Sequence, residues 1–320
     1  MRIITLEEHF TTPELQKVRA KVWQNAPAPM QALSGKLLDL GEGRIADMDE
    51  AGIDLQVLSP AATDLDELEA GRASSLARDT NDRLASVVRD HPTRFAAFAT
   101  VALQAPQDSA TELERCIHKL GFKGVMVNGT VNGKFLDDPS FAPFFEAAQA
   151  LDVPIYLHPA PPPQPVADAY YGGLPGPVGF LLSTAGWGWH AETGMHSLRL
   201  IVSGVFDRFP NLKIIIGHMG ENLPFSLARA DAVLGNATKH LKRRVAEYFH
   251  AHFYVTTSGY FTVAPFLCAL QVVGADRLLF SVDYPFSTNT VGRNFLNALP
   301  VSPEDREKIS HGNAEKLLKL

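Results

Sequence analysis

The chain has 320 residues, with 29 Lys and Arg against 35 Asp and Glu, for a formal charge of −6. Its 46% hydrophobic and 20% charged content is globular and excludes disorder as the main state. The acidic balance excludes a general nucleic-acid binder or polybasic membrane module, and no apolar run approaches the roughly 18 residues of a membrane span.

Eight short apolar runs read as strands: Ile3–Leu6, Leu55–Ser59, Phe95–Val101, Gly124–Val127, Val153–Leu157, Lys213–Gly217, Phe253–Thr257 and Leu278–Val282. Continuous Val, Ile, Leu and Phe is the composition of strands buried on both faces of a parallel sheet. Helical patterns alternate with them at Arg44–Ala51, Ala73–Asp90, Ser109–Leu120, Phe141–Leu151, Glu192–Phe206, Leu223–Leu234, Val263–Val273 and Pro303–Leu318. Stops are marked at Ala51-Gly52, Leu120-Gly121, Phe209-Pro210 and Val273-Gly274. The alternation predicts an α/β fold, a single (β/α)8 TIM barrel over residues 1–320.

Two segments exceed the bare repeat, near 11–43 and 159–190. The second holds Pro159, Pro161, Pro162, Pro163 and Pro165 and ends Trp187-Gly188-Trp189-His190. Both follow strands, so both are expected over the C-terminal mouth as pocket walls or lids; a surface insertion or oligomer contact is the plainer alternative. The start Met1–Leu6, followed at once by Glu7 and Glu8, is too short for a signal peptide. Cys116 and Cys268 are far apart and expected to be small core residues, so a reducing, cytoplasmic setting is the expectation.

In such a barrel the chemistry lies at the C-terminal ends of the strands. Those ends read Glu7-Glu8-His9, Asn128-Gly129, His158-Pro159, Gly217-His218-Met219-Gly220-Glu221, Thr257-Ser258-Gly259 and Asp283-Tyr284-Pro285. Glu7 and His9, two apart on a strand, point the same way, with Glu8 and Phe10 on the other face. With His158 and Asp283 they form a two-nitrogen, two-oxygen set suited to one divalent ion, Zn²⁺ or Mn²⁺, with Mg²⁺ possible. Each residue alone is explained by a hydrogen-bonded histidine or a capped loop; it is the joint pattern that points to a metal.

His218 and Glu221 are spaced as an imidazole base and its orienting carboxylate, although Glu221 also suits the first turn of a helix. Asn128 and Ser258 are explained nearly as well by the turns beside them. Lys123 opens its strand and faces the wrong rim to bridge two ions as a carbamate, which favours one ion over two. No Gly-rich dinucleotide motif or P-loop lysine is present, so no organic cofactor is expected.

The motifs Leu6-Glu7-Glu8-His9-Phe10, Tyr156-Leu157-His158-Pro159, Ile216-Gly217-His218-Met219-Gly220-Glu221 and Phe280-Ser281-Val282-Asp283-Tyr284-Pro285-Phe286 resemble those of the amidohydrolase superfamily. Within it they look like the branch of metal-dependent, non-oxidative decarboxylases, most of all those acting on 2,6-dihydroxybenzoate. The resemblance runs from residue 3 to the C-terminus. It implies Glu7, His9, His158 and Asp283 as metal ligands, His218 and Glu221 as an acid/base pair working with Asp283, and Asn128, Arg229 and Phe286 near the substrate. Asn222, Asp64 and Trp187–His190 depart from the nearest patterns.

The implied reaction is decarboxylation of an ortho-hydroxybenzoate to a phenol and CO₂, reversible at high bicarbonate. Asp283 would protonate the ring carbon, and Phe10, Trp187, Trp189, Tyr284 and Phe286 would flank the ring. A single-metal hydrolase of a small lactone or amide, and a non-catalytic ligand-binding barrel, are the alternatives; Glu-x-His on the first strand leans away from the hydrolase and from the aminocarboxymuconate semialdehyde type. The expected partner is a small aromatic acid, with no nucleic acid and no membrane, in a homodimer or homotetramer.

Overall fold

Parallel pairing runs in chain order through eight strands: β1 (Ile4–Phe10), β2 (Leu55–Pro60), β3 (Phe95–Ala97), β4 (Val125–Asn128), β5 (Ile155–His158), β6 (Ile214–Ile216), β7 (Phe253–Thr256) and β8 (Leu278–Leu279). The computed structural model describes residues 1–18, 20, 31–61 and 63–320. Between β3 and β4, Ala99 N–H donates to the Gly124 carbonyl at 2.8 Å and Met126 N–H to Ala99 at 3.1 Å. At the other seam, His9 N–H donates to the Tyr284 carbonyl at 2.7 Å and Glu7 N–H to Ser281 Oγ at 2.8 Å. These bonds join β3 to β4 and β8 to β1, which makes the (β/α)8 barrel expected from the sequence.

Strand parity decides what enters the barrel. Ile4, Leu6, Val57, Met126, Tyr156 and Leu279 share one buried cluster, while Leu157 and Ile216 belong to the larger core. His158 follows Tyr156 by two and Asn128 follows Met126 by two, so both continue the interior rows toward the mouth. In β1 the pairing slips between Thr5 and Glu8. This β-bulge lets Ile4 and Leu6 line the lower interior while Glu7 and His9, of opposite parity, line the mouth.

All eight expected strands are present, and the helices Leu223–Leu234 and Val263–Val273 match as read. The pattern Glu192–Phe206 is instead Gly188–Val202 followed by Val205–Arg208, broken at Gly204. The last pattern is broken into Pro303–Glu307, a wider turn Lys308–Gly312 and Asn313–Leu318. Helices Val245–His252 and Asn289–Ala298 were not anticipated. Segment 159–190 contains helices Gln164–Tyr171 and Val178–Ser183. In segment 11–43, helices Pro13–Val18 and Ser34–Leu38 are seen, and residues 19 and 21–30 lie outside the described residues. Both cysteines are free; Cys116 is buried as expected, whereas Cys268 is partly exposed. No described helix is long and apolar enough to cross a membrane.

Candidate active site and metal centre

At the mouth, Glu7, His9 and His158 each turn one ligand atom inward, all within 4.8 Å of one another. Glu7 Oε1 lies 3.2 Å from His158 Nε2, 3.7 Å from His218 Nε2 and 4.0 Å from His9 Nε2. Asp283 reaches in from beyond β8, with Oδ1 3.3 Å from His9 Nε2 and Oδ2 3.9 Å from His218 Nε2. The residues fit a cation. Glu7 Oε1 is buried without a hydrogen bond, a costly state unless a charge comes to it. Ligands each about 2.1 Å from one ion stand roughly 3–3.4 Å apart, near the spacings found. His158 Nδ1 is 2.8 Å from the Pro159 carbonyl, to which it can only donate, so Nε2 is the nitrogen turned to Glu7. His9 Nδ1 has no such partner among the described residues.

The other oxygen of Glu7 sits in a hydroxyl cradle. Tyr156 and Ser258 donate to Oε2, Thr256 lies 3.5 Å away, and Thr256 and Ser258 bond each other at 2.7 Å. Burial pushes the Glu7 carboxyl pKa up, but the charge of His218, the contact with His158 and the charge of His9 outweigh it and hold the group well below the usual range. Gly217 is required here, because a Cβ at that position would fall 2.7 Å from Glu7 Oε2 and 3.2 Å from the Tyr156 hydroxyl. Ser258 therefore has a role beyond its turn.

Glu8 faces away from the mouth, as strand alternation requires. Its carboxylate accepts the N–H groups of Val282 and Tyr284, both at 3.0 Å, on either side of Asp283. It thus ties the strand carrying Glu7 and His9 to the segment carrying Asp283. Burial pushes its pKa up to about 7 against those bonds.

After β6 the backbone takes positive φ at His218, Met219, Gly220, Glu221 and Asn222 in succession. Left-handed geometry costs non-glycine residues roughly 1–2 kcal/mol each, and strain of this kind gathers at functional sites. The turn folds Glu221 back so that Oε1 meets His218 Nδ1 at 2.7 Å. The right-handed helix starts only at Leu223, so Glu221 is not a first-turn helix acid. Burial lowers the His218 pKa, yet the charges of Glu221 and Glu7 more than reverse it and raise it well above the ordinary value. Glu221 Oε2 meets His190 Nδ1 at 2.6 Å. His190, His218 and Glu221 also form a buried cluster of ligand types. Their 2.6 and 2.7 Å contacts are hydrogen bonds, too short for neighbouring ligands around an ion.

A cavity of about 650 Å³ adjoins this group through His158 and Asn128. Asn128 Nδ2 lies 3.1 Å from His158 Nδ1. Segment 159–190 forms one wall, with Pro161, Phe180 and Trp189, as expected of a pocket-wall insertion. Phe286 packs edge-on to His9 with ring centres 5.7 Å apart. The other aromatic expectations divide. Trp189 lines the cavity, but Phe10 is fully buried in the outer core because it alternates with His9, and Trp187 is exposed. Tyr284 turns away to bond Asp47 at 2.6 Å beside the Arg44 guanidinium. Arg229 lies on the exposed face of helix Leu223–Leu234 and does not line the cavity within one chain. Lys123 bonds the Lys319 carbonyl at 3.1 Å, away from the mouth.

Residues 34–320 match the Amidohydrolase family. The chain belongs to that family. It is 41% identical over 330 residues to the gamma-resorcylate decarboxylase of Polaromonas sp. (strain JS666), covering 99% of this chain and 98% of the relative. The crystal structure of a dihydroxybenzoic acid decarboxylase from Polaromonas sp. JS666, with bound manganese and the inhibitor 2-nitroresorcinol, matches with a TM-score of 0.91 at 40% identity, covering 100% of this chain and 97% of that one. The structure of a 2,6-dihydroxybenzoate decarboxylase complexed with 2,6-dihydroxybenzoate matches with a TM-score of 0.91 at 38% identity over 100% of both chains.

Sequence reasoning about this amidohydrolase missed Tyr156, Thr256, His190 and the role of Glu8. Tyr156 was findable, since it precedes His158 by two on one strand and shares its face. His190 carried no local signal: its segment was read as a wall, and its partner is 31 residues away.

Proposed function

We propose that this amidohydrolase is a metal-dependent, non-oxidative carboxy-lyase that converts an ortho-hydroxybenzoate of the 2,6-dihydroxybenzoate type to a phenol and CO₂. The observation that carries the reading is the buried, unbonded Glu7 Oε1 facing three imidazole nitrogens at the edge of a cavity roomy enough for a substituted benzene ring. Full-length similarity to decarboxylases of dihydroxybenzoates supports the substrate class.

Glu7, His9, His158 and Asp283 would hold one divalent ion, Mn²⁺ or Zn²⁺ with Mg²⁺ possible; bound there, it supplies positive charge for the carboxylate and phenolic oxygens of the substrate. Asn128 and Phe286 flank the ring. Asp283, as the carboxylic acid, gives its proton to the ring carbon that bears the carboxylate. The bond from that carbon to the carboxylate then breaks, CO₂ leaves, and the bonding pair restores the aromatic ring. His218, 3.9 Å from Asp283 and held by Glu221, returns a proton to the aspartate. The same steps in reverse carboxylate the phenol when bicarbonate is in excess.

A homo-oligomer suits the surface, where Phe225, Val233 and Met195 stand exposed. Two free cysteines suit a cytoplasmic setting.

The test is to give manganese-loaded protein 2,6-dihydroxybenzoate and follow resorcinol and CO₂. Turnover should vanish on chelation and return with Mn²⁺. A loaded protein that hydrolyses lactones or amides and leaves the benzoate intact would overturn the reading.

A further inference from the structure

Both ring nitrogens of the buried His190 face acceptors. Nε2 lies 3.1 Å from the Ala185 carbonyl, and Nδ1 lies 2.6 Å from Glu221 Oε2. A carbonyl oxygen only accepts, so Nε2 carries a hydrogen. A second hydrogen must lie between Nδ1 and Oε2, because two lone pairs at that distance repel. Glu221 Oε2 is thereby occupied, and Oε1 alone is turned to His218, at 2.7 Å from Nδ1. The three rings and the carboxylate are closely packed: His190 and His218 have centres 5.2 Å apart, and the Tyr260 ring is 5.3 Å from His190. The carboxylate has no room to swing.

We propose that His190 is a positioning residue which, through Glu221, fixes the ring nitrogen that His218 presents to the reaction. Glu221 Oε1 holds the hydrogen of His218 on Nδ1, and the Nε2 atom is then the one directed at Glu7 and Asp283. Without His190, the Glu221 carboxylate has a free oxygen and can rotate, and His218 loses its single orientation. Carboxylate–histidine pairs draw their effect from such orientation, and outer partners of functional histidines typically carry about 10- to 100-fold in activity. His190 touches no reacting atom in this arrangement. The proposal rests on the reading of His218 and Glu221 as the acid/base pair, and its test therefore includes a measurement that does not depend on turnover.

The experiment compares wild type, His190→Ala and His190→Gln in full-length, manganese-loaded protein for kinetics, and in metal-free, ring-¹⁵N-histidine-labelled protein for spectra, with the His218 signals assigned from His218→Gln. Expected in wild type is a single His218 form with hydrogen on Nδ1. In His190→Ala the His218 nitrogen shifts move and broaden as Nδ1–H loses its fixed partner, and kcat on 2,6-dihydroxybenzoate falls about 10- to 100-fold. KM stays within about twofold and metal content is full, while added imidazole restores part of kcat by filling the space. If His190→Ala does not fold, His190→Gln decides on the same readouts. Unchanged His218 shifts in a folded variant overturn the proposal, as does a fall in kcat explained by lost metal and not rescued by imidazole. A wild type inactive on every ortho-hydroxybenzoate counts against the functional reading, and the nitrogen spectra then decide this one.

Discussion

The Tyr156 hydroxyl donates to Glu7 Oε2 from the barrel interior, so one carboxylate oxygen is spoken for and the other is presented to the imidazoles. Replacing Tyr156 by Phe keeps the ring, which packs near Phe98 at 6.0 Å, and removes only the donor. Ser258 still bonds Oε2, so the carboxylate is not stripped. Manganese affinity should fall about tenfold, the lower end for outer partners of metal ligands, with little change in thermal midpoint. Titration of the metal-free protein with Mn²⁺ measures this; an unaltered affinity would show that Ser258 suffices to orient Glu7.

Asp283 is the partly exposed member of the group, with its side chain 16% exposed against 0–8% for Glu7, His9, His158 and His218. Partial exposure is what a group that meets substrate needs. Asp283→Asn retains the shape and an oxygen able to ligate, but has no acidic proton to give. Turnover should drop by about 10²–10⁴ while the variant still folds and keeps most of its metal. His158→Ala should do the opposite, losing metal in dialysis. Activity of Asp283→Asn within a few-fold of wild type would remove the aspartate as proton donor.

The parts of the site carried by strand alternation were legible. Glu7 with His9, and Asn128, His158 and Asp283 at strand ends, follow from short-range rules that hold in any parallel barrel. The bulge between Thr5 and Glu8 was not legible, because it corrects a parity conflict between Leu6 and Glu7 that appears only once β1 is paired with β2. His218 and Glu221 were correctly paired by spacing, but through a left-handed turn and not the strand-to-helix junction the spacing suggested. In that turn only Gly220 and Asn222 advertise positive φ, too little to mark five such residues in succession. Helix Asn289–Ala298 was hidden by Asn and Gly, poor helix formers, and is held in place by burying Phe295 and Leu296. Phe10 and Tyr284 were placed at the mouth by nearness in sequence to His9 and Asp283, when alternation next to a ligand sends a side chain away from it.

The cavity wall also carries Asp64, Asp66 and Glu67, and among the described residues neither Lys nor Arg lines the cavity. Burial pushes the Asp66 carboxyl pKa up, a sign that negative charge is already disfavoured there. A ring with one carboxylate directed at the metal group leaves only neutral substituents toward this wall. A second carboxylate directed at Asp66 and Glu67 would face like charge, costing roughly 1–3 kcal/mol. The kcat/KM for 4-hydroxyisophthalate should therefore be about 10- to 100-fold below that for salicylate or 2,6-dihydroxybenzoate. Asp66→Asn should narrow the gap. Equal rates on mono- and dicarboxylates would mean the wall does not contact the ring substituents.

His196 provides a pH dependence of stability outside the metal group. Its Nε2 accepts the Leu136 N–H at 2.8 Å, and its ring packs edge-on to Phe135 with centres 5.0 Å apart. Protonation of Nε2 would break that bond in a buried place, and burial pulls the pKa down from 6.5 to about 4. Between those values the unfolded chain binds a proton that the folded one refuses. Stability from this residue is thus complete above about pH 6.5, falls as pH drops toward 4 and levels off below, by about 3 kcal/mol in all. His196→Gln keeps a side-chain acceptor for Leu136 and does not titrate. Urea midpoints measured from pH 7.5 to 4 should converge less steeply on the acid side in this variant, and the difference between the two curves isolates His196 from carboxylates that titrate in the same range. Parallel curves would mean that His196 already carries its proton in the fold, and that the Leu136 amide finds another acceptor.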